Sequence, residues 1–177
     1  KVVKTLERAG FQCTELTTID DSIDQELHRL YLEVEKKSET RLATLPLGYF
    51  LGLHQSLGDK FSCFIITRDD SIAGFISVIK DGNDAIAYYV GLDYSVNSEY
   101  PIYFRLLQSV IQKAIEMRCQ RVLFGRTALE PKANLGAKPV DTFVWVRHRV
   151  PVVNFMIRKL FRNVPFDVAP ERTVIKQ

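Results

Sequence analysis

The chain has 177 residues, 46% hydrophobic and 25% charged, with a formal net charge of +3, the make-up of one globular domain with a proper core. That charge is too slight for a surface built to bind nucleic acid, although attraction to a phosphorylated ligand stays open. No apolar run approaches the roughly 20 residues that span a bilayer, and the cysteines, Cys13, Cys63 and Cys119, are odd in number with no CxxC pair, so neither a zinc ribbon nor a redox motif is supported.

Small buried thiols are expected at Cys63 and Cys119, and a reducing cytosol fits this usage. The opening "KVVKTLERAG" (1–10) has neither an initiator Met nor a signal-peptide core. It reads as a linker or the remnant of a preceding domain, with 11–177 as a single domain. "FQCTELT" (11–17) reads as a short strand. "TIDDSIDQELHRLYLEVEKKS" follows with Asp20 or Asp21 as cap, acids early and lysines late, and Ile23, Leu27, Leu30, Tyr31 and Val34 at helical spacing. "PLGYFLGLHQSLG" is expected as a shorter helix, with Pro46 near its first turn and Gly58 as its stop.

Three strands are expected next, "FSCFIIT" (61–67), "IAGFISVIK" (72–80) and "DAIAYYVGL" (84–92), and Asp-Gly between the last two signals a hairpin. The polar break "SVNSEYP" leads to "YPIYFRLLQSVIQKAIEMR", a helix with Phe104, Leu107, Val110, Ile111, Ala114 and Ile115 as its apolar stripe. "RVLFG" reads as a buried strand, and strand, helix and strand together make a right-handed βαβ unit with a parallel pair. Thr127 and Glu130 form a capping-box pattern for a short helix. "VDTFVWVRHR" (140–149) alternates like a strand with Trp145 in the core, "VVNFMIRKLFR" is amphipathic, and "NVPFDVAPERTVIKQ" is irregular.

Two helices, an antiparallel meander, a crossover helix and a parallel strand resemble, over roughly residues 11–150, the GNAT acyltransferase fold, an α+β three-layer fold. The resemblance implies a mixed, mostly antiparallel sheet with one βαβ unit and flanking helices. The run Phe124 to Ala137 ("FGRTALEPKANLGA") and the pair Tyr88-Tyr89 are similar to the divergent branch of Fem-type and peptidoglycan biosynthesis/recognition acyltransferases. Such proteins often hold two GNAT-like halves, and this chain resembles the second. The branch implies an acyl donor, either acetyl-CoA or another acyl-CoA or an aminoacyl-tRNA. It also implies an amine acceptor on a small molecule or cell-envelope precursor, no metal, and a second GNAT-like half or a homodimer as partner. Two features depart from the fold's usual pattern. "NSEYPIYFR" stands where a glycine-rich pyrophosphate loop is usual, and no tyrosine follows Tyr103; both favour the alternative to an acyltransferase, a non-catalytic GNAT-like half or binding module that completes the cleft of a partner domain.

Transfer to an amine needs aligned reactants, donors for the carbonyl oxygen, and a base. In a GNAT-like cleft the donor carbonyl meets the backbone of Tyr89, Val90 and Gly91, with Gly91 either the close-approach position or a bulge glycine. Tyr88 and Tyr89 are expected on opposite faces, so that at most one meets the acceptor, and Tyr103 joins them as a substrate-binding candidate. Arg105 is placed to meet a phosphate or to be a solvated helix-face residue. Arg126 suits a carboxylate or phosphate, Lys132 offers a mobile charge, and Glu130, Asp93 and His148 are the available bases. Glu130 and Lys132 are the catalytic candidates. His28 and His54 have no metal-ligand spacing, and no HExxH or GxSxG motif occurs.

Overall fold

The computed structural model describes residues 1–38, 43–143 and 145–161, and the chain divides into two compact units, Lys1–Arg126 and Thr127–Gln177. The irregular tail expected after residue 162 lies outside the described residues. In the first unit five strands, β1 (Gln12–Glu15), β2 (Phe61–Arg68), β3 (Ser71–Asp81), β4 (Asp84–Leu92) and β5 (Arg121–Leu123), form one sheet in that order. The first three pairings are antiparallel and β4/β5 is parallel. Tight hairpins make the meander: Asp69 and Asp70 take φ of 48° and 60° between β2 and β3, and Gly82 takes 56° between β3 and β4, the left-handed region that Asp tolerates and Gly adopts freely.

Helix α1 (Val2–Arg8) occupies residues read as a linker, and its Leu6 is buried. Helix α2 (Asp21–Lys36) is capped by Asp20, whose Oδ1 accepts the Ile23 N–H at 2.9 Å. Helix α3 (Tyr49–Leu57) starts after Gly48, so Pro46 precedes it instead of sitting in its first turn. Its cap comes from α2: buried Asp24 accepts the N–H groups of Gly48 at 2.6 Å and Leu51 at 2.9 Å. Leu27, Leu30 and Tyr31 of α2 and Phe50 of α3 pack with Phe61, Cys63, Ile65 and Phe75 of β2 and β3.

Strand side chains alternate, so Gly74, beside Phe75, faces the other way, where Ile102 of α5 (Ile102–Glu116) comes within 3.0 Å of its Cβ position. Leu106, Leu107, Val110 and Ala114 of α5 are buried with Ile102. The apolar stripe is therefore rotated from the one read in sequence, and Ile115 is exposed. The helix carries the chain to β5, which a forked pair fixes in register: Arg121 meets Asp84, its strand partner, through Nε at 2.8 Å and Nη2 at 2.7 Å.

Several expectations are corrected. The polar break holds helix α4 (Tyr94–Glu99), because Asp93 accepts the N–H and the hydroxyl of Ser95 and caps it. β5 spans only three residues, and Arg121 and Leu123 are exposed instead of buried, as suits an edge strand. In the second unit, α6 (Leu129–Ala133) starts from Ala128 in the left-handed region with no side-chain cap, so Thr127 is not its N-cap. No strand forms among the described residues of 140–149, and Trp145, expected in the core, is 94% exposed. His148 instead folds onto the start of α7 (Pro151–Phe161): Asn154 accepts its N–H and donates to its carbonyl.

Candidate active site

β4 and β5 pair only from Asp84 to Ile86. β5 ends at Leu123, so from Ala87 to Leu92 the outer edge of β4 has no neighbouring strand among the described residues. The parallel pairing therefore ends at Ile86. On its other side, β4 carries an irregularity against β3: Val78 pairs with Ala87 and Ile76 with Val90, leaving Tyr88 and Tyr89 opposite the single residue Ser77. The Ser77 hydroxyl stitches this bulge, accepting the Tyr89 N–H at 3.0 Å and donating to the Tyr89 carbonyl at 3.2 Å. Tyr89 thus turns both backbone groups toward β3.

The extra residue also changes where the side chains go. Tyr88 and Tyr89 are not on opposite faces; their rings meet edge to face with centroids 4.6 Å apart, because a bulge breaks the two-residue alternation. Tyr49 of α3 completes the cluster. Its hydroxyl lies 2.8 Å from that of Tyr88, and its ring stands edge-on to Tyr89 at 5.9 Å. Tyr31 meets Tyr89 from α2 at 5.6 Å. Burial pushes the Tyr49 phenol well above its ordinary value, and the hydrogen bond to Tyr88 adds to the shift. Tyr89 is raised by burial and then by Tyr88. Tyr31 is raised by burial, partly offset by its bond from the Leu45 amide. Each of these three phenols is neutral at physiological pH and can donate a hydrogen bond. Nothing local in the sequence marks Tyr49 beyond its place in a helix.

Gly91 settles differently from either reading. A Cβ there would lie 2.2 Å from a Phe75 ring carbon and 2.8 Å from the backbone of Leu30, so the missing side chain lets α2 lie against the strand. Arg105 also sits elsewhere than a phosphate at the α5 start would require. Its Nη1 donates to Ser109 at 2.9 Å, and it lines a cavity of about 280 Å³ with Glu7 and Cys13, beside α1 and β1.

At the α5 N-terminus, where free N–H groups would bind phosphate, the Tyr103 N–H goes to Asn97 Oδ1 at 3.0 Å and the Ile102 N–H to the Tyr100 carbonyl at 2.7 Å. Tyr103 itself is half-buried, its phenol pushed up to about 12 by burial and by Tyr94. Asp93 is held below the usual carboxylate range by its capping bonds to Ser95, which gives it a structural role in place of a base. Cys63 is buried, and burial pushes its thiol up, so it is inert. His28 binds the Leu45 carbonyl and His54 packs on Phe61.

Arg126 is exposed at the end of the first unit. In the second unit Glu130 is exposed, while Lys132 is buried with its ammonium donating to the Thr127 carbonyl. Burial lowers Lys132 to about 8, near enough to neutrality to exchange a proton at physiological pH. No group of three or more metal-ligating side chains occurs among the described residues.

The family model described as an acetyltransferase (GNAT) domain matches residues 1–133. Among solved structures, an aminoglycoside acetyltransferase from an uncultured soil metagenomic sample, in complex with sisomicin, is similar at 15% identity and TM-score 0.57, covering 80% of this chain and 99% of that one. An aminoglycoside N-acetyltransferase in complex with CoA is similar at 12% and 0.57, covering 79% and 95%. Glucosamine-6-phosphate N-acetyltransferase from Arabidopsis thaliana is similar at 13% and 0.56, covering 79% and 99%. At such identities the likeness is one of fold. The sequence matches no curated protein. The expected fold is borne out, and the resemblance holds at the level of the GNAT domain without reaching the Fem-type branch.

Proposed function

The chain belongs to the GNAT acetyltransferase domain family, and from that premise we propose that it is an N-acyltransferase. The acyl donor lies along the open edge of β4, and the amine acceptor meets the Tyr49, Tyr88 and Tyr89 cluster. The observation that carries this reading is the end of β4/β5 pairing at Ile86, directly before a bulge that brings both tyrosines to one side. The Val90 N–H then supplies a donor for the thioester carbonyl as charge builds on its oxygen. The amine nitrogen attacks the carbonyl carbon, the C–S bond breaks, the thiolate gains a proton and the new amide nitrogen loses one. Hydroxyls of neutral tyrosines orient the acceptor. Among the remaining candidates, Lys132 is the proton-exchange group, Glu130 the base, and Arg126 the grip on an acceptor carboxylate or phosphate.

An acyl-CoA is the first donor to test, since a solved structure of the same fold holds CoA. One observation favours a second reading. The N–H groups of Ile102 and Tyr103 are already bonded within the chain, which removes two donors a CoA pyrophosphate would use. An aminoacyl-tRNA donor with a cell-envelope acceptor, as in the Fem-type resemblance, does not need that site; a second GNAT-like half or a second copy would then complete the tRNA surface. A thermal-shift screen against acetyl-CoA, longer acyl-CoAs, free CoA and a charged tRNA separates the two. Stabilisation by acyl-CoA beyond free CoA supports the first reading, and response to charged tRNA alone supports the second. No response to any of them overturns both.

A further inference from the structure

We propose that residues 143–161 form an interfacial element that lies on an anionic phospholipid surface. The inference is independent of the transferase reading. It begins with the exposure of large apolar side chains that a water-soluble unit would bury: Phe143, Trp145, Phe155, Met156, Leu160 and Phe161 are all exposed, Trp145 at 94%. These six fall within 19 consecutive positions, a density well beyond the scattered surface leucine of ordinary domains. Helix α7 is held together locally, with Pro151 at its first position, where a fixed φ favours helix, and Asn154 bonded to both backbone groups of His148. Its outward apolar residues therefore belong to a formed helix.

Charge identifies what covers them. From Thr142 to Phe161 there is no Asp or Glu, while Arg147, Arg149, Arg158 and Lys159 are all present. Arg, Met and aromatic residues also occur in protein interfaces, but a stretch with cations and no acid calls for a surface of uniformly opposite charge. Cations interleaved with Trp and Phe match the headgroup region instead, where rings sit at the interface and cations meet lipid phosphates. Lys159 stands among the exposed apolar residues, and its long stem can lie along them while the ammonium reaches outward. At 11 residues α7 is too short to cross a bilayer, and no helix among the described residues is long and apolar enough to do so, so the element lies on the membrane.

Trp145 is the only tryptophan, so its fluorescence reports insertion in the unlabelled chain. Vesicles of phosphatidylcholine with one-third phosphatidylglycerol should shift its emission to the blue and co-sediment the protein. Pure phosphatidylcholine should do so weakly, and high salt should reverse the binding. Phe155→Asp with Leu160→Asp should lower partitioning by about tenfold or more. Arg158→Gln with Lys159→Gln, at exposed sites, should weaken binding to the anionic vesicles, which keeps the test open where the first pair fails to fold. No blue shift with anionic vesicles, or equal binding to neutral and anionic ones, overturns the proposal. So does a dimer that the Asp variants dissociate and vesicles do not compete, which would assign the face to a second copy of the chain.

Discussion

Asn97 accepts the backbone N–H of Tyr103 at 3.0 Å, reaching from α4 across Pro101 to the second residue of α5. In a fold where that helix start commonly faces phosphate, the chain supplies its own acceptor from Asn97. Asn97→Ala should cost about 1 kcal/mol, as loss of a helix cap does, and should leave acyl-CoA affinity unchanged or improved. Urea unfolding and calorimetric titration measure the two effects. A large loss of CoA affinity would mean that the pyrophosphate does sit there.

The Tyr49 and Tyr88 hydroxyls, 2.8 Å apart, should behave as one unit. Either Tyr→Phe change should raise the KM of the amine acceptor by up to about tenfold, the scale of one hydrogen bond. The double variant should lose little more than either single one, since each removes the same interaction. Additive losses would place the two hydroxyls on separate tasks.

Two glycines should respond in opposite directions. Gly91→Ala places a Cβ against Phe75 and the Leu30 backbone and should destabilise by roughly 1–3 kcal/mol or more, because the close approach is to backbone. Gly52, inside α3 with nothing within 4 Å of its Cβ position, should gain roughly 0.5–1 kcal/mol on conversion to Ala. Denaturant midpoints of the two variants, measured side by side, decide the matter.

Lys132 makes stability depend on pH. Its folded value, lowered by burial from 10.5 to about 8, lies below the unfolded one. Between these values the unfolded chain binds more protons, so stability rises as pH climbs through that window. Urea unfolding followed by circular dichroism at a series of pH values across that window measures the slope. Lys132→Met should flatten the rise, and an unchanged slope would assign it to other groups.

Much of the first unit was legible because its signals are local. The meander follows from apolar runs broken by Asp-Asp and Asp-Gly, and α2 from Asp20 and the spacing of Leu27, Leu30 and Tyr31. What stayed hidden depends on distant partners. Asp24 caps a helix whose N-cap residue, Gly48, lies 24 positions later. Ser77 and the bulge it stitches set Tyr88 and Tyr89 side by side, although strict alternation separates them. Ile115 fits a helical stripe, yet only packing against the sheet decides which face is buried. Trp145 lies in an alternating segment that pairs with no strand among the described residues. Tyr49 gave no local sign of its place, because the Tyr88 that meets it lies on the third strand after its helix.

In the proposed reaction the acyl donor lies along the outer edge of β4, with the Val90 N–H at its carbonyl. Amide hydrogen exchange, with and without saturating acetyl-CoA, tests it most directly. Exchange should slow at residues 87–92, most at Val90, and change little at Ile102 and Tyr103, whose amides are already bonded. With charged tRNA as donor the same protection should appear at residues 87–92. Protection confined to the start of α5, or unchanged exchange at β4 with either donor, would contradict it.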